Sequence, residues 1–245
     1  MLVLFRSLLM PKRIYIESFD TGPGGWCGWT SNIEGPKALD VRDGVAISRS
    51  PWWIDYNHAP PGAGYLHILF ALNTRGGDAY SELYLERAGL NRFIEGEYPT
   101  DFTEARLTFR LKGELEPRGA NLVMLVQGSS GKIVSGWVLV GRPLTVTGDW
   151  SEQSIAAAPD PKLWTCLRSR HDRTRTYGEL DLATVLSHVN ANIVLILFPL
   201  EVAPMGPIAG DLHKLRAGKD YPVWQGRLPE GYVMLDEVRI DFAGD

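Results

Sequence analysis

The stretch that decides the fold class is Ala105-Arg106-Leu107-Thr108-Phe109-Arg110-Leu111-Lys112, in which apolar and polar residues alternate. Side chains of a β-strand point alternately to the two faces of a sheet. The pattern therefore predicts a strand with one face in the core and one face in water. The same period of two dominates the chain from Arg13 onward, which indicates an all-β protein.

Three further segments predict strands that are covered on both faces. Residues 121–126, 133–140 and 193–198 are almost continuously apolar, and glycine- or proline-containing turn signals lie between them. Short strands separated by such turns are typical of a β-sandwich or jelly roll. Long stretches at 50–64, 157–178 and 201–231 predict loop insertions in that sandwich.

One segment departs from the period of two. Between Gly178 and Val189, apolar residues recur at helical spacing, which predicts one short helix packed against a sheet. No Ser/Gly-rich or charge-rich linker divides the chain, and sandwiches commonly reach this size. We therefore expect residues 1–12 to form a flexible lead and residues 13–245 to form a single domain.

Composition limits the partners and the compartment. The net charge of −4 argues against nucleic acid as the main partner, and no apolar run is long enough to suggest a membrane partner. Cys27 and Cys166 do not make a disulfide framework, which fits a reducing compartment. The apolar start of the chain is interrupted by Arg6 and lacks a small-residue cleavage site. We expect a cytoplasmic protein, with export left open.

The stretch from Ser50 to Gly62, SPWWIDYNHAPPG, is the strongest functional signal. Its three prolines confine the backbone, and its aromatic rings offer flat, weakly hydrated faces beside polar groups. Sugars have apolar faces and hydroxyl edges, so the loop suits a carbohydrate or sugar-acid ligand. The predicted ligand-binding residues are Trp52, Trp53, Asp55, Tyr56, Asn57 and His58. The alternative is that the aromatics plug the end of the sandwich.

The last strand carries a change of phase. Val233 and Leu235 have one parity, whereas Val238 and Ile240 have the other. Such a change predicts a β-bulge at Asp236-Glu237, which would aim the Asp236 side chain in a particular direction.

Short motifs near both ends resemble those of jelly-roll carbohydrate-binding modules, the galactose-binding-domain-like sandwiches. The matching residues are Phe19-Asp20-Thr21-Gly22 with Trp26, Gly148-Asp149-Trp150-Ser151, and Leu235-Asp236-Glu237-Val238-Arg239-Ile240. The resemblance implies a jelly-roll fold, and it supports the fold better than an activity because the motifs are short.

The same resemblance implies a structural calcium ion near the joined ends of the chain. Asp20 and Asp236 are the matching carboxylates, Glu17 is a further candidate, and carbonyl groups around Gly22 could complete an oxygen shell. The alternative is that Asp236 accepts hydrogen bonds within the bulge and Asp20 closes a turn.

The segment from Tyr80 to Glu86 predicts a strand that could carry catalytic acids. Tyr80, Glu82, Tyr84 and Glu86 would share one face of that strand. Glu82 and Glu86 are then candidates for the paired acids of a glycoside hydrolase, although a solvated charged face explains the same pattern.

A second catalytic set combines histidines with arginine. His58, His67 or His171, or a tyrosine, could abstract a sugar proton while an arginine of the loop around His171 neutralises the neighbouring acid, as in a polysaccharide lyase. Zinc bound by Asp55, His58 and His67 is an alternative, but their spacing fits no familiar signature.

These observations favour carbohydrate recognition by a jelly-roll β-sandwich through its aromatic loop. The first alternative is a glycan-active enzyme of the same fold, either a polysaccharide lyase or a glycoside hydrolase. The second is a protein-interaction or assembly domain, in which exposed aromatics would hold a homo-oligomer together.

Overall fold

The structure is a computed structural model that describes residues 13–31, 34–55, 66–167, 178–200, 203–204, 206, 224–225 and 227–244. For residues 31, 55, 66–67, 203–204 and 224–225, only the backbone is described. The lead predicted for residues 1–12 lies outside this range.

The described chain consists mainly of strands with three short α-helices. The strands are β1 (Ile14–Glu17), β2 (Trp26–Ser31), β3 (Gly35–Lys37), β4 (Asp40–Arg42), β5 (Val45–Arg49), β6 (Ile54–Asp55), β7 (Leu66–Asn73), β8 (Arg106–Glu116), β9 (Asn121–Ser130), β10 (Ile133–Val138), β11 (Ser151–Ala156), β12 (Thr165–Leu167), β13 (Asn192–Phe198), β14 (Ala203–Pro204), β15 (Trp224–Gln225) and β16 (Glu230–Asp241). The helices are α1 (Glu82–Ala88), α2 (Arg92–Glu95) and α3 (Leu182–Ser187), and single 3₁₀ turns span Asp78–Tyr80 and Pro161–Leu163.

Two antiparallel sheets form a jelly-roll β-sandwich, as the sequence predicts. The six-stranded sheet has the order β11-β8-β16-β5-β4, with β1 paired to β16. The eight-stranded sheet has the order β12-β10-β9-β13-β7-β2-β3, with β6 paired to β7. Strands β14 and β15 pair with each other. Because β16 lies between β8 and both β5 and β1, the last strand joins the two ends of the chain.

The main core lies between the sheets. Strand β8 alternates as its sequence predicts, with Leu107, Phe109 and Leu111 buried in this core. In β13, Leu195 belongs to the same core, whereas the neighbouring Val194 belongs to a second buried cluster on the other face of the eight-stranded sheet. The prediction that the apolar central strands are covered on both faces is therefore confirmed.

The segment from Tyr80 to Glu86 is not a strand, so that prediction was wrong. Tyr80 ends a 3₁₀ turn, and α1 begins directly afterwards. The Ser81 hydroxyl accepts a hydrogen bond from the amide of Tyr84 at the start of α1, and Gly89, at φ 67°, caps its end. These two caps stabilise a helix despite the alternating pattern.

The helix predicted between residues 178 and 189 is present as α3. Leu182, Val185 and Leu186 are buried, and the Asp181 carboxylate accepts a hydrogen bond from the amide of Thr184 as the N-cap. Among the helices that the structure describes, none is long and apolar enough to cross a membrane.

The predicted bulge is present in β16. Its pairing register with β8 shifts between Leu235 and Glu237, so Asp236 is the extra residue. Val233 and Leu235 before the bulge and Val238 after it are all fully buried. The bulge therefore keeps one continuous apolar face across the change of parity.

Both cysteines lie in the interior. Cys27 and Cys166 are both buried, and they do not form a disulfide with each other. Burial raises the pKa of the Cys27 thiol to about 12, which keeps it protonated and unreactive at neutral pH.

The second residue of β16 is a glycine that no other residue can replace without strain. Gly231 has a φ of 123°, and a Cβ atom added there would lie 2.0 Å from the carbonyl oxygen of Glu114. We expect Gly231→Ala to lower the free energy of unfolding by at least about 2 kcal/mol. Urea denaturation followed by circular dichroism measures this.

Gly148→Ala is the matched control, because a Cβ atom at Gly148 would have no neighbour within 4 Å. It should change the free energy of unfolding by less than about 0.5 kcal/mol. Equal losses in the two variants would contradict the steric argument.

Candidate functional site

The structure divides the predicted ligand-binding residues into three groups. Trp52 and Trp53 are fully described. Asp55 is described only as the backbone of β6, whereas Tyr56, Asn57 and His58 lie outside the described residues. Trp52 and Trp53 are therefore the two predicted ligand-binding residues whose side chains the structure describes.

Trp52 is a core residue. Its side chain is 7% exposed and belongs to the main core, and its indole Nε1 donates a hydrogen bond to Ser48 Oγ at 2.9 Å. Trp52 therefore fits the alternative interpretation, in which the aromatic residues of this loop close the end of the sandwich. Trp53 is only half-buried, so part of its ring remains available to a ligand.

A cleft of about 400 Å³ opens beside Trp52. One wall is formed by Ser50, Pro51 and Trp52, and the other by residues 227–230. Two hydrogen bonds fix the walls relative to each other, since the Ser50 amide donates to the Gly231 carbonyl at 3.0 Å and the Gly231 amide donates to Ser50 Oγ at 3.1 Å. The cleft is thus anchored to the sheet where β5 and β16 pair.

Charged groups line the rim of this cleft. The Glu230 carboxylate accepts hydrogen bonds from Arg118 Nη2 at 2.6 Å and from Arg227 Nη2 at 3.0 Å. Arg118 also forms an ion pair with Glu116. Arg227 and Glu230 remain 74% and 52% exposed, so both are accessible to a ligand.

The same contacts fix the charge of Glu230. The hydrogen bond from Arg118, followed by the positive charges of Arg227 and Arg118, lowers the pKa of Glu230 below its ordinary value. The carboxylate is consequently ionised at neutral pH. It can accept hydrogen bonds from hydroxyl groups, but it is a poor proton donor for acid catalysis.

The candidate acids Glu82 and Glu86 lie on α1 rather than on a strand. Both side chains are exposed, one helical turn apart. Glu82 lies in the first turn of α1, where a negative charge stabilises a helix. This arrangement matches the solvated charged face that was the alternative interpretation.

The two tyrosines expected beside these acids have other partners. Tyr80 donates a hydrogen bond to Glu95 Oε1 at 2.9 Å. The ring of Tyr84 is half-buried and lies 6.1 Å from that of Trp29. These two tyrosines and the acids Glu82 and Glu86 therefore do not line a common groove. They would have shared one face only if the segment had formed a strand.

The histidine set is not brought together by the described residues. His58, His171 and the arginine-rich loop around His171 lie outside them, and His67 is described only by its backbone in β7, opposite Ile54 and Leu197. A lyase site and the zinc alternative built on these residues remain predictions.

Glu17, the further candidate for the calcium site, has a different counter-ion. It is 2% exposed, and Arg92 bonds both of its oxygens, with Nε at 2.8 Å from Oε2 and Nη2 at 2.7 Å from Oε1. The amide of Phe19 also donates to Oε1 at 2.9 Å. The Glu17 carboxylate is thus occupied by an internal guanidinium.

The other two carboxylates also have partners of their own. Asp20 accepts a hydrogen bond from Ser18 Oγ at 2.7 Å, and Asp236 in the bulge forms an ion pair with Arg110. Over the part of the chain that can be described, no three His, Cys, Asp or Glu side chains are grouped to hold a metal ion. As placed here, Glu17, Asp20 and Asp236 do not fit a shared calcium shell.

Two arginines that organise these regions were not predicted from the sequence. Arg92 lies 75 positions from Glu17, and Arg118 lies 112 positions from Glu230. No local motif links residues so far apart. The one local signal was Asn91, whose side-chain oxygen accepts a hydrogen bond from the amide of Ile94 and starts the short helix that carries Arg92.

The two neighbouring tryptophans should differ in their effect on folding. We expect Trp52→Ala to lower the free energy of unfolding by about 3–5 kcal/mol, because it leaves a cavity in the core. Trp53→Ala should cost less than about 1 kcal/mol. Urea denaturation followed by circular dichroism measures both, and a smaller loss for Trp52→Ala than for Trp53→Ala would refute this assignment.

No protein-family model matches the chain, and no curated protein matches it. Solved structures similar to it include the solution structure of CtCBM11, with 12% identity over 95% of this chain and 96% of that chain and a TM-score of 0.32. A structure from work on endo-acting O-glycanases of the human gut microbiota has 11% identity over 94% and 99% of the two chains and a TM-score of 0.35. The CBM2 module of the evolved Dit of Lactobacillus casei BL23 phage J-1 has 11% identity over 96% and 99% and a TM-score of 0.30. These TM-scores are too low to assign a fold, so the fold assignment rests on the two sheets of this chain.

Proposed function

We propose that this protein recognises carbohydrate and that the cleft beside Trp52 is part of its binding site. The observation that carries the proposal is the combination of apolar walls with a polar rim. Pro51, Leu228 and Pro229 line the cleft together with Trp52, while Arg227 and Glu230 lie at its edge. A sugar ring requires both kinds of surface, because it has apolar faces and hydroxyl edges.

The rim suits hydroxyl groups in particular. The Glu230 carboxylate is an acceptor, and the guanidinium of Arg227 is a donor with several N–H groups. The two groups are 3.0 Å apart, so neighbouring hydroxyls of one sugar could bond to both. Hydrogen bonds to charged groups are the stronger ones, which allows a small site to orient its ligand.

Trp53 is the residue proposed to stack against the sugar. Its ring is half-buried and follows directly after Trp52, whose packing in the core holds this part of the loop in place. Asp55, Tyr56, Asn57 and His58 continue the loop and remain the proposed hydrogen-bonding residues.

Binding without turnover is the simpler proposal. The ionised state of Glu230 favours a hydrogen-bond acceptor over a proton donor. The glycan-active enzyme and the assembly domain remain predictions. The side chains of the candidate histidines lie outside the described part of the chain, and Glu82 and Glu86 lie on an exposed face of α1.

The binding test uses neutral oligosaccharides and uronic-acid oligosaccharides, with titration calorimetry on the wild-type protein and on two variants. For a ligand found in that panel, Trp53→Ala and Glu230→Gln should each weaken affinity at least about tenfold, because each removes a contact worth roughly 1.4 kcal/mol or more. Binding should persist through neutral pH and be lost in acid, as Glu230 becomes protonated.

Two variants away from the cleft provide the controls. Trp150 lies against Arg110 and Lys112 on β8, and Glu152 is an exposed carboxylate on β11. Trp150→Ala and Glu152→Gln should therefore bind as the wild type does. Absence of binding across the panel, or equal losses in these controls, would count against the proposal. New reducing ends or unsaturated uronates in the same mixtures would instead support the enzyme.

A further inference from the structure

We propose that the guanidinium group of Arg92 occupies a cation site formed by Glu17, Thr21 and Gly22. This internal cation would hold the first turn of the sandwich in place of the calcium ion that the resemblance to carbohydrate-binding modules implies. The inference concerns the fold and does not depend on the proposed function.

Four oxygens converge on the guanidinium. Arg92 Nη2 lies 2.7 Å from both Glu17 Oε1 and the Gly22 carbonyl oxygen, and Arg92 Nε lies 2.8 Å from Glu17 Oε2. Arg92 Nη1 donates to Thr21 Oγ1. Carboxylate and carbonyl oxygens are the groups that calcium prefers in proteins, and the threonine hydroxyl adds a further neutral oxygen. The oxygens are therefore arranged for a cation, and Arg92 is that cation.

The backbone is shaped around this head group. The Gly22 amide donates to the Phe19 carbonyl at 3.1 Å, and the Arg92 amide donates to the Gly24 carbonyl at 3.1 Å. A Cβ atom at Gly24, where φ is 61°, would lie 1.9 Å from Glu17 Oε2. Position 24 thus leaves no room for a side chain beside the Glu17–Arg92 pair.

Burial makes a counter-charge necessary. Glu17 is 2% exposed, and a carboxylate removed from water is costly unless it is paired and hydrogen-bonded. An arginine remains charged at every physiological pH and cannot be removed by a chelator. The stability of this turn should therefore be independent of the calcium concentration.

The first measurement is thermal unfolding in excess EDTA and in millimolar calcium. The wild-type protein should have the same Tm in both. Arg92→Ala should lower Tm in EDTA by roughly 10 °C or more, since it leaves the buried Glu17 carboxylate without a partner. Calcium should restore part of that loss, because it can bind the vacated oxygens. With a single carboxylate, the affinity should be no better than millimolar.

The second measurement detects the ion directly. Terbium can replace calcium, and Trp26 is close enough to sensitise its luminescence, since Trp26 Nε1 bonds the Tyr15 hydroxyl at 3.1 Å and that hydroxyl bonds Glu17 Oε2 at 3.4 Å. Sensitised luminescence should appear in Arg92→Ala and disappear in the double variant Glu17→Gln/Arg92→Ala. It should be absent in the wild type.

Arg87→Ala is the matched control. Arg87 donates to the carbonyl groups of Glu34 and Pro36 at 2.9 and 2.7 Å, without a carboxylate in that set. Its removal should lower Tm without creating a calcium response. Arg92→Lys retains the charge and should remain insensitive to calcium. A wild-type Tm that rises with calcium would overturn the proposal, as would an Arg92→Ala chain that calcium neither stabilises nor refolds.

Discussion

The buried carboxylate of Glu17 is the constraint on which the joining of the two sheets depends. Glu17 ends β1, which pairs with β16 in the six-stranded sheet, whereas its hydrogen-bond chain reaches Trp26 at the start of β2 in the eight-stranded sheet. Arg92 brings α2 to the same point, and Phe93 beside it packs edge-on against Tyr15 at 5.3 Å. A single ion pair therefore fixes β1, β2 and α2 relative to one another, and its cost of burial is offset by hydrogen bonds on every side.

The period of hydrophobic residues correctly predicted those strands in which the burial of one apolar face is the main requirement. The alternation in β8 and the phase change around Asp236 both follow from the need to keep one face apolar, and the structure confirms both. The segment from Tyr80 to Glu86 failed because two signals competed there. Its alternation predicted a strand, whereas Ser81 and Gly89 cap the two ends of a helix. In a segment of only seven residues, the stabilisation from the two caps outweighs the alternating pattern.

The candidate site was only partly predictable, because its parts come from distant segments. The sequence identified the aromatic loop, but it could not distinguish Trp52, which closes the core, from Trp53, which keeps part of its ring exposed. That difference depends on tertiary contacts: Trp52 donates a hydrogen bond to Ser48 and packs in the core between the sheets. The charged rim could not be predicted from the sequence, since it requires the turn after β8 to bring Arg118 beside Glu230.

The motifs that resemble carbohydrate-binding modules serve the fold in this chain. Phe19 and Trp26 are core residues, Gly22 helps to close the turn around Arg92, and Asp236 pairs with Arg110 in the bulge. Such motifs reflect the demands of joining the first strand to the last, and proteins that share this demand can share the motifs without sharing a ligand. Trp53 and the side chains of Arg227 and Glu230 lie outside these motifs. The fold can therefore be tested with variants of the motif residues and the proposed binding with Trp53→Ala and Glu230→Gln, whereas Trp52 belongs both to the core and to the wall of the cleft.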